Sequence, residues 1–203
     1  MSEVIDRERV VQALRNSTRV VFSTMLNMEM RAEAAYPQAS KPGPADGVVA
    51  LVGLTGKWMG TGSLCCSAWF AREMSGYLLK SEFASVDQDV LDAVGEVTSM
   101  VIGNFKVAVE DYMGPLGLSI PMVIFGHNFT SRSMSSGDWI VVPFFYGASK
   151  LEVKVCLSLQ DDKQIDHDSH DHEPDAPGSS RNEPLFGIDE APNPENLTGY
   201  KDQ

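Results

Sequence analysis

Residues 92–106 read DAVGEVTSMVIGNFK, and they decide how the rest of the chain is organised. At about 100° per residue, Asp92, Glu96, Ser99 and Gly103 fall within roughly a 60° arc of a helix. Val90, Val94, Val97, Val101, Phe105 and Ala108 fall on the opposite side. That pattern predicts a long helix over about 87–112, with one buried side and a narrow row of acid, acid, hydroxyl and glycine. Asp87 is placed to cap its first turn. Gly95 and Gly103 each cost about 1 kcal/mol against alanine in a helix interior. The cost makes sense where something approaches the backbone closely, either an underlying sheet or a partner protein. A solvated helix face is the simplest account of the pattern taken alone.

Upstream, residues 6–27 form a first helix, with Val10, Val11, Leu14, Val21, Phe22, Met25 and Leu26 at spacings of three and four. EMRAEAAYPQASKPGPADG (29–47) continues as an extended segment grading into a Pro-rich loop. GVVALVGLTGKWMGTGSLCCS (47–67) reads as two short strands about Gly-rich turns. Its G-K-W-M-G-T-G lacks the Gly-Lys-Ser/Thr ending of a phosphate-binding loop. AWFAREMSGYLL (68–79) is a helix, with Trp69, Phe70, Met74, Tyr77 and Leu78 as its expected core face.

Downstream, GPLGL (114–118) closes the long helix and SIPMVIFGHNF (119–129) is a strand. TSRSMSSGD (130–138) is a hairpin loop, and WIVVPFFYG and KLEVKVCLSL are the last strands. In the second, Leu151, Val153, Val155 and Leu157 alternate with Glu152, Lys154, Cys156 and Ser158, so one sheet face is covered and the other is wetter. The element order predicts the α/β class, an α+β sandwich: a mixed, largely antiparallel sheet with long helices packed on it.

The 203 residues carry a net charge of −12, which argues against a nucleic-acid partner. The stretch 160–203 holds 12 of the 28 acidic residues and 3 of the 16 basic ones, a net of −9 against −3 for 1–159. Rich in Asp, Glu, Pro, Ser and Gly, it buries too little apolar area to offset chain ordering and is expected to be a disordered tail. Its His167, His170 and His172 lie among carboxylates without fixed geometry, so no metal site is assigned. PLFGID (184–189) is a small apolar island that six residues do not decide, and His127 is read as structural or surface. Cys65, Cys66 and Cys156 give no disulfide framework, and the adjacent pair is expected to pack as small hydrophobes. No apolar run approaches the roughly 20 residues of a bilayer span, and no signal peptide opens the chain. A cytoplasmic protein with no membrane partner is the expectation.

The opening helix resembles the signature helix of the CheC/CheX family of chemotaxis phosphatases, the CheX type most. That signature is an Asp or Ser, three residues, Glu, two residues, Asn, then a nearby Gly-Asn pair. Asp92, Glu96, Gly103 and Asn104 match, and Ser99 stands where the family has Asn. VVFSTMLNMEM, the 47–67 hairpin, SIPMVIFGHNF and WIVVPFF resemble the family's other elements. The resemblance covers about residues 6–159 and so implies a CheX-like domain over 1–159, with the acidic tail outside it.

The resemblance implies hydrolysis of the aspartyl phosphate on a CheY-type response regulator. The regulator supplies Mg²⁺ and a lysine, so this chain needs no cofactor or metal of its own. Glu96 is then the docking and lysine-pairing acid, Asp92 and Gly103 belong to the docking face, and Ser99 holds the position that orients the attacking water. A serine hydroxyl ends roughly 1 Å nearer the helix than an asparagine amide, and a misplacement of that size can cost on the order of 10²-fold in rate. Asn104, about 12 Å from Glu96 along the helix, does not substitute, and Thr98 points to the apolar side. A second copy of the signature on the first helix would begin at Ser17 but meets Val21 where Glu is required, leaving one site. The CheX type commonly pairs, so a homodimer is implied. Two readings follow: a phosphatase, or a non-catalytic adaptor that keeps the docking face.

Overall fold

The computed structural model describes residues 5–38, 45–129 and 139–160. The elements in chain order are α1 (Arg7–Met25), β1 (Arg31–Ala32), β2 (Tyr36–Gln38), β3 (Ala45–Gly56), β4 (Trp58–Cys66), α2 (Ala68–Leu79), α3 (Gln88–Met113), β5 (Leu116–Leu118), β6 (Met122–Phe129), β7 (Trp139–Tyr146) and β8 (Ser149–Leu159). The expected loop at 130–138, the Pro-rich stretch at 39–44 and the acidic tail with its three histidines and PLFGID lie outside the described residues.

The strands form one eight-stranded sheet in the order β1-β7-β8-β4-β3-β5, with β2 also on β7 and β6 also on β3. Every pairing among the described residues is antiparallel. Two hairpins build its centre. The β3–β4 turn uses Gly56 at φ 147°, and the β7–β8 turn uses Gly147 at φ 56°, a backbone region where a missing Cβ removes the penalty. The β3 and β4 strands are longer than the sequence pattern suggested, at 12 and 9 residues. GPLGL does more than end the helix, since Leu116–Leu118 pair with Leu54–Gly56 of β3 as a short strand.

The helices cover one face. Val48, Ala50, Val52 and Leu54 of β3, Leu64 and Cys66 of β4, and Leu151, Val153, Val155 and Leu157 of β8 join the apolar sides of α1, α2 and α3 in one core. The Phe22 ring of α1 and the Phe70 ring of α2 stack with centroids 6.4 Å apart. On α3 the buried side is Val90, Val94, Val97, Val101, Ile102, Phe105 and Val109. Ala108 is exposed. Val109, the next residue, is buried instead. A Cβ on Gly62 of β4 would sit 2.6 Å from Ile102 Cδ1, so this glycine lets α3 lie down on the sheet.

Three further expected core positions are exposed: Met25 on α1, and Trp69 and Tyr77 on α2. On α2 the buried residues are Phe70, Ala71, Met74 and Ser75. The buried side of α2 runs through Phe70 and Ala71, and Trp69 lies on the other side of Phe70, about 100° around the helix. Two small polar residues, Ser17 and Thr18, are buried on α1 instead.

The far sheet face carries Glu152, Lys154 and Ser158, all partly exposed, as the alternation predicted. It also holds a small second cluster of Trp139, Val141 and Cys156. Tyr36 donates to Glu152 Oε1 at 2.8 Å across this face. Burial and that bond push the Tyr36 hydroxyl up to about 12. The cysteines form no disulfide; Cys66 packs in the helix-side core, while Cys65, one residue away on the strand, points to the other face and is half-buried.

Candidate functional site

The first turn of α3 is fixed by Asp87, whose carboxylate accepts from the Val90 N–H at 3.0 Å, as its position predicted. From there the helix presents Asp92 and Glu96, both exposed, then Ser99 and Gly103, both partly exposed, and Asn104, exposed. Gln88 Nε2 donates to Asp92 Oδ1 at 2.8 Å, one turn along the helix, which fixes the direction of that carboxylate. Glu96 and Ser99 make no side-chain hydrogen bond or ion pair among the described residues. The neighbouring hydroxyl behaves differently. Thr98 is fully buried and its Oγ1 donates to the Val94 carbonyl at 2.7 Å. Of two adjacent hydroxyls, one is spent on the backbone and the other is free to meet a ligand.

The row does not stand alone. Gln88, Leu91, Asp92, Gly95 and Glu96 line one side of a groove of about 440 Å³, and Pro121 and Val123 line the other. Ser99 and Gly103 lie beyond this groove, further along the helix. The two glycines separate here. A Cβ on Gly95 would meet Val123 Cγ2 at 3.2 Å and Pro121 Cγ at 3.4 Å, so Gly95 lets the edge strand pack close. A Cβ on Gly103 would meet only Leu118 Cδ1, at 3.9 Å. Its side of the helix is open.

The segment beside the row is apolar and bare. Leu118, Ile120 and Met122 are exposed, Ile120 by 89%. Leu118 reaches toward Gly103, and Pro121 toward Gly95. The sequence reading treated this stretch as an ordinary strand and missed its role as a ridge along the polar row. The run Ile120-Pro121-Met122 was the available signal, because β6 does not begin until Met122 and the preceding apolar residue has no strand to pack in. Gln88 was also missed, although its spacing of four from Asp92 was visible.

No group of three or more His, Cys, Asp or Glu comes together as a metal site among the described residues, and none of the described helices is long and apolar enough to cross a membrane.

Residues 48–145 match the family model described as chemotaxis phosphatase CheX. The chain also superposes on a solved CheC-like superfamily protein from Shewanella sp. PV-4, at 26% identity and a TM-score of 0.66, covering 74% of this chain and 97% of that one. A chemotaxis protein CheX from Desulfovibrio desulfuricans gives 26% identity and 0.67 over 73% and 99%. Over residues 48–145 the chain is similar to the CheX type of the CheC/CheX family. The fold is shared, at 20% identity and a TM-score of 0.62 over 73% and 97%, with a solved CheX–CheY–BeF3–Mg+2 complex from Borrelia burgdorferi. No curated protein sequence matches this chain. The matched region holds both α3 and the ridge, so the signature residues sit on an element the family model includes.

Proposed function

We propose that this CheX-type chain docks on a phosphorylated CheY-type response regulator and promotes hydrolysis of its aspartyl phosphate. One observation carries the reading: Glu96 and Ser99 project from the same side of α3, and neither side chain is committed to a partner within the fold. The Borrelia CheX–CheY complex, a fold relative, supports a receiver domain as the partner class.

In this reading Glu96 pairs with the regulator's active-site lysine and draws it from the phosphoryl group. Asp92, held by Gln88, adds charge to the docking face, and Gly103 gives close backbone approach. Leu118, Ile120 and Met122 supply the apolar rim. The Ser99 hydroxyl both donates and accepts, so it holds the attacking water. Positioning is the whole contribution, since the regulator brings Mg²⁺, lysine and the phosphoryl group. The chain needs no metal or cofactor of its own. It works in the cytoplasm with its regulator, as a homodimer.

The test is decay of phosphate from the phosphorylated regulator, with and without this protein. Acceleration that Glu96→Ala abolishes is the expected result. Binding with unchanged decay overturns the phosphatase reading and favours the adaptor, for which Ser99 in place of the family's Asn is the specific motive.

A further inference from the structure

The groove beside the polar row has a chemistry of its own. Asp92 and Glu96 are the ionisable side chains that line it, and both are exposed acids. Leu91, Pro121 and Val123 make most of the remaining lining apolar. The acidity extends along the helix: from Gln88 to Phe105, α3 carries Asp89, Asp92 and Glu96 and no basic residue. An acidic side and an apolar side on one groove suit a long side chain with an apolar stem and a cationic end.

The two acids are not equivalent. Ser99 follows Glu96 by about 4.5 Å of helix rise and Asp92 by about 10.5 Å. A cation that touches a phosphoryl group held at Ser99 is within reach of Glu96. The same cation does not also reach Asp92, a full turn farther away. Asp92 is nonetheless set for a partner. Gln88 Nε2 holds its Oδ1 at 2.8 Å, and its Oδ2 makes no hydrogen bond or ion pair among the described residues. Charge also decides between occupants. A second copy presenting the same face would bring these acids against their own like. The 160–203 stretch, with 12 acidic and 3 basic residues, is repelled as well.

We propose that Asp92 and this groove bind a second basic side chain of the regulator, distinct from the active-site lysine and about 10 Å along the interface from the phosphoryl group. The inference rests on the reading that a phosphorylated regulator docks on α3, and it adds what that regulator must carry. The aliphatic stem lies on Leu91, Pro121 and Val123, and the charge meets the open oxygen of Asp92. A regulator with a neutral or acidic residue at that place is bound more weakly. The groove therefore selects among receiver domains that share the same catalytic residues.

The test uses the full chain and the regulator of the dephosphorylation assay, held in its active form with beryllofluoride and Mg²⁺. Asp92→Asn removes the charge but keeps an acceptor for Gln88, and it should weaken regulator binding about tenfold. Asp92→Glu, which keeps the charge, should weaken it less. The same tenfold loss should appear against a regulator whose active-site lysine is replaced by alanine, whereas Glu96→Gln should cost nothing further there. Among the regulator's other lysines and arginines, replaced singly by glutamine, one should give a loss that Asp92→Asn does not deepen. Unchanged affinity in Asp92→Asn overturns the proposal. So does an Asp92 effect that vanishes with the active-site lysine, since one cation would then serve both acids. Neither result touches the phosphatase reading, which fails separately if the wild-type chain binds the regulator without accelerating its decay. A chain that binds no phosphorylated regulator overturns both.

Discussion

Helices α2 and α3 lie on the same sheet face and each turns a stripe outward, yet one was readable and the other was not. On α3 the outward row is Asp92, Glu96, Ser99 and Gly103, and every inward neighbour from Val90 to Phe105 is buried. On α2 the outward row is Trp69, Glu73 and Tyr77, two of them aromatic. Polar residues recurring within an apolar helix mark the side that water or a ligand meets. Aromatic residues carry no such mark, because their size suits a core and an interface equally. The lesson concerns direction: a polar stripe points outward by itself, while an apolar stripe points wherever the packing sends it.

The largest expected effect separates the two kinds of aromatic on α2. Phe70 is fully buried and stacked on Phe22, whereas its neighbour Trp69 is about half exposed. Phe70→Ala should cost about 3–5 kcal/mol of unfolding free energy, and Trp69→Ala about 0.5 kcal/mol or less. Denaturant titration of both variants decides it. A large loss at Trp69 would mean that the aromatic stripe is core after all.

Next in size is the row on α3. Ser99→Asn lengthens the side chain by roughly 1 Å and should raise regulator dephosphorylation on the order of 10²-fold, with no change in regulator affinity. A low rate left unchanged would remove the account in which position 99 orients water. Gly103→Ala then divides stability from docking. The open side of Gly103 leaves room for a methyl group, so the helix should gain about 1 kcal/mol, while regulator binding weakens if the partner's backbone lies against that position. Tighter folding with undiminished binding would take Gly103 out of the docking face.

The sequence carried most of the fold because its periodicities are clean. The α3 cap at Asp87, the inward valines and the alternation in β8 each follow from one local rule, and all three appear where expected. What escaped depends on contacts between distant segments. Gly62 is small because Ile102 needs its space, forty residues later in the chain. Ile120 is bare because the β5–β6 link runs along the outside of α3, and no local pattern states that. The candidate site divides the same way. Asp92, Glu96 and Ser99 were legible as a row, but the groove wall at Pro121 and Val123 exists only once β6 pairs with β3. Gly95 and Gly103 look alike in sequence and differ only in what lies beneath them.

The smallest effect comes from a carboxylate on α3 that, unlike Glu96, has partners within the fold. Glu110 accepts from the Leu116 N–H at 2.9 Å and pairs with Lys106 at 2.9 Å, tying the end of the helix to β5. The Leu116 bond first, and Lys106 second, hold its carboxyl below the ordinary value of 4.5. A depressed value in the folded state means the contribution is fully present above the unfolded value and is lost as pH falls through the folded one. Wild type should therefore be slightly more stable than Glu110→Gln at neutral pH, and the two should converge on acidification below about 4.5. Thermal midpoints across that range test the sign. A constant gap would mean that the charge on Glu110 does nothing for the junction, and that an acid near the negative end of α3 is tolerated for its hydrogen bond alone.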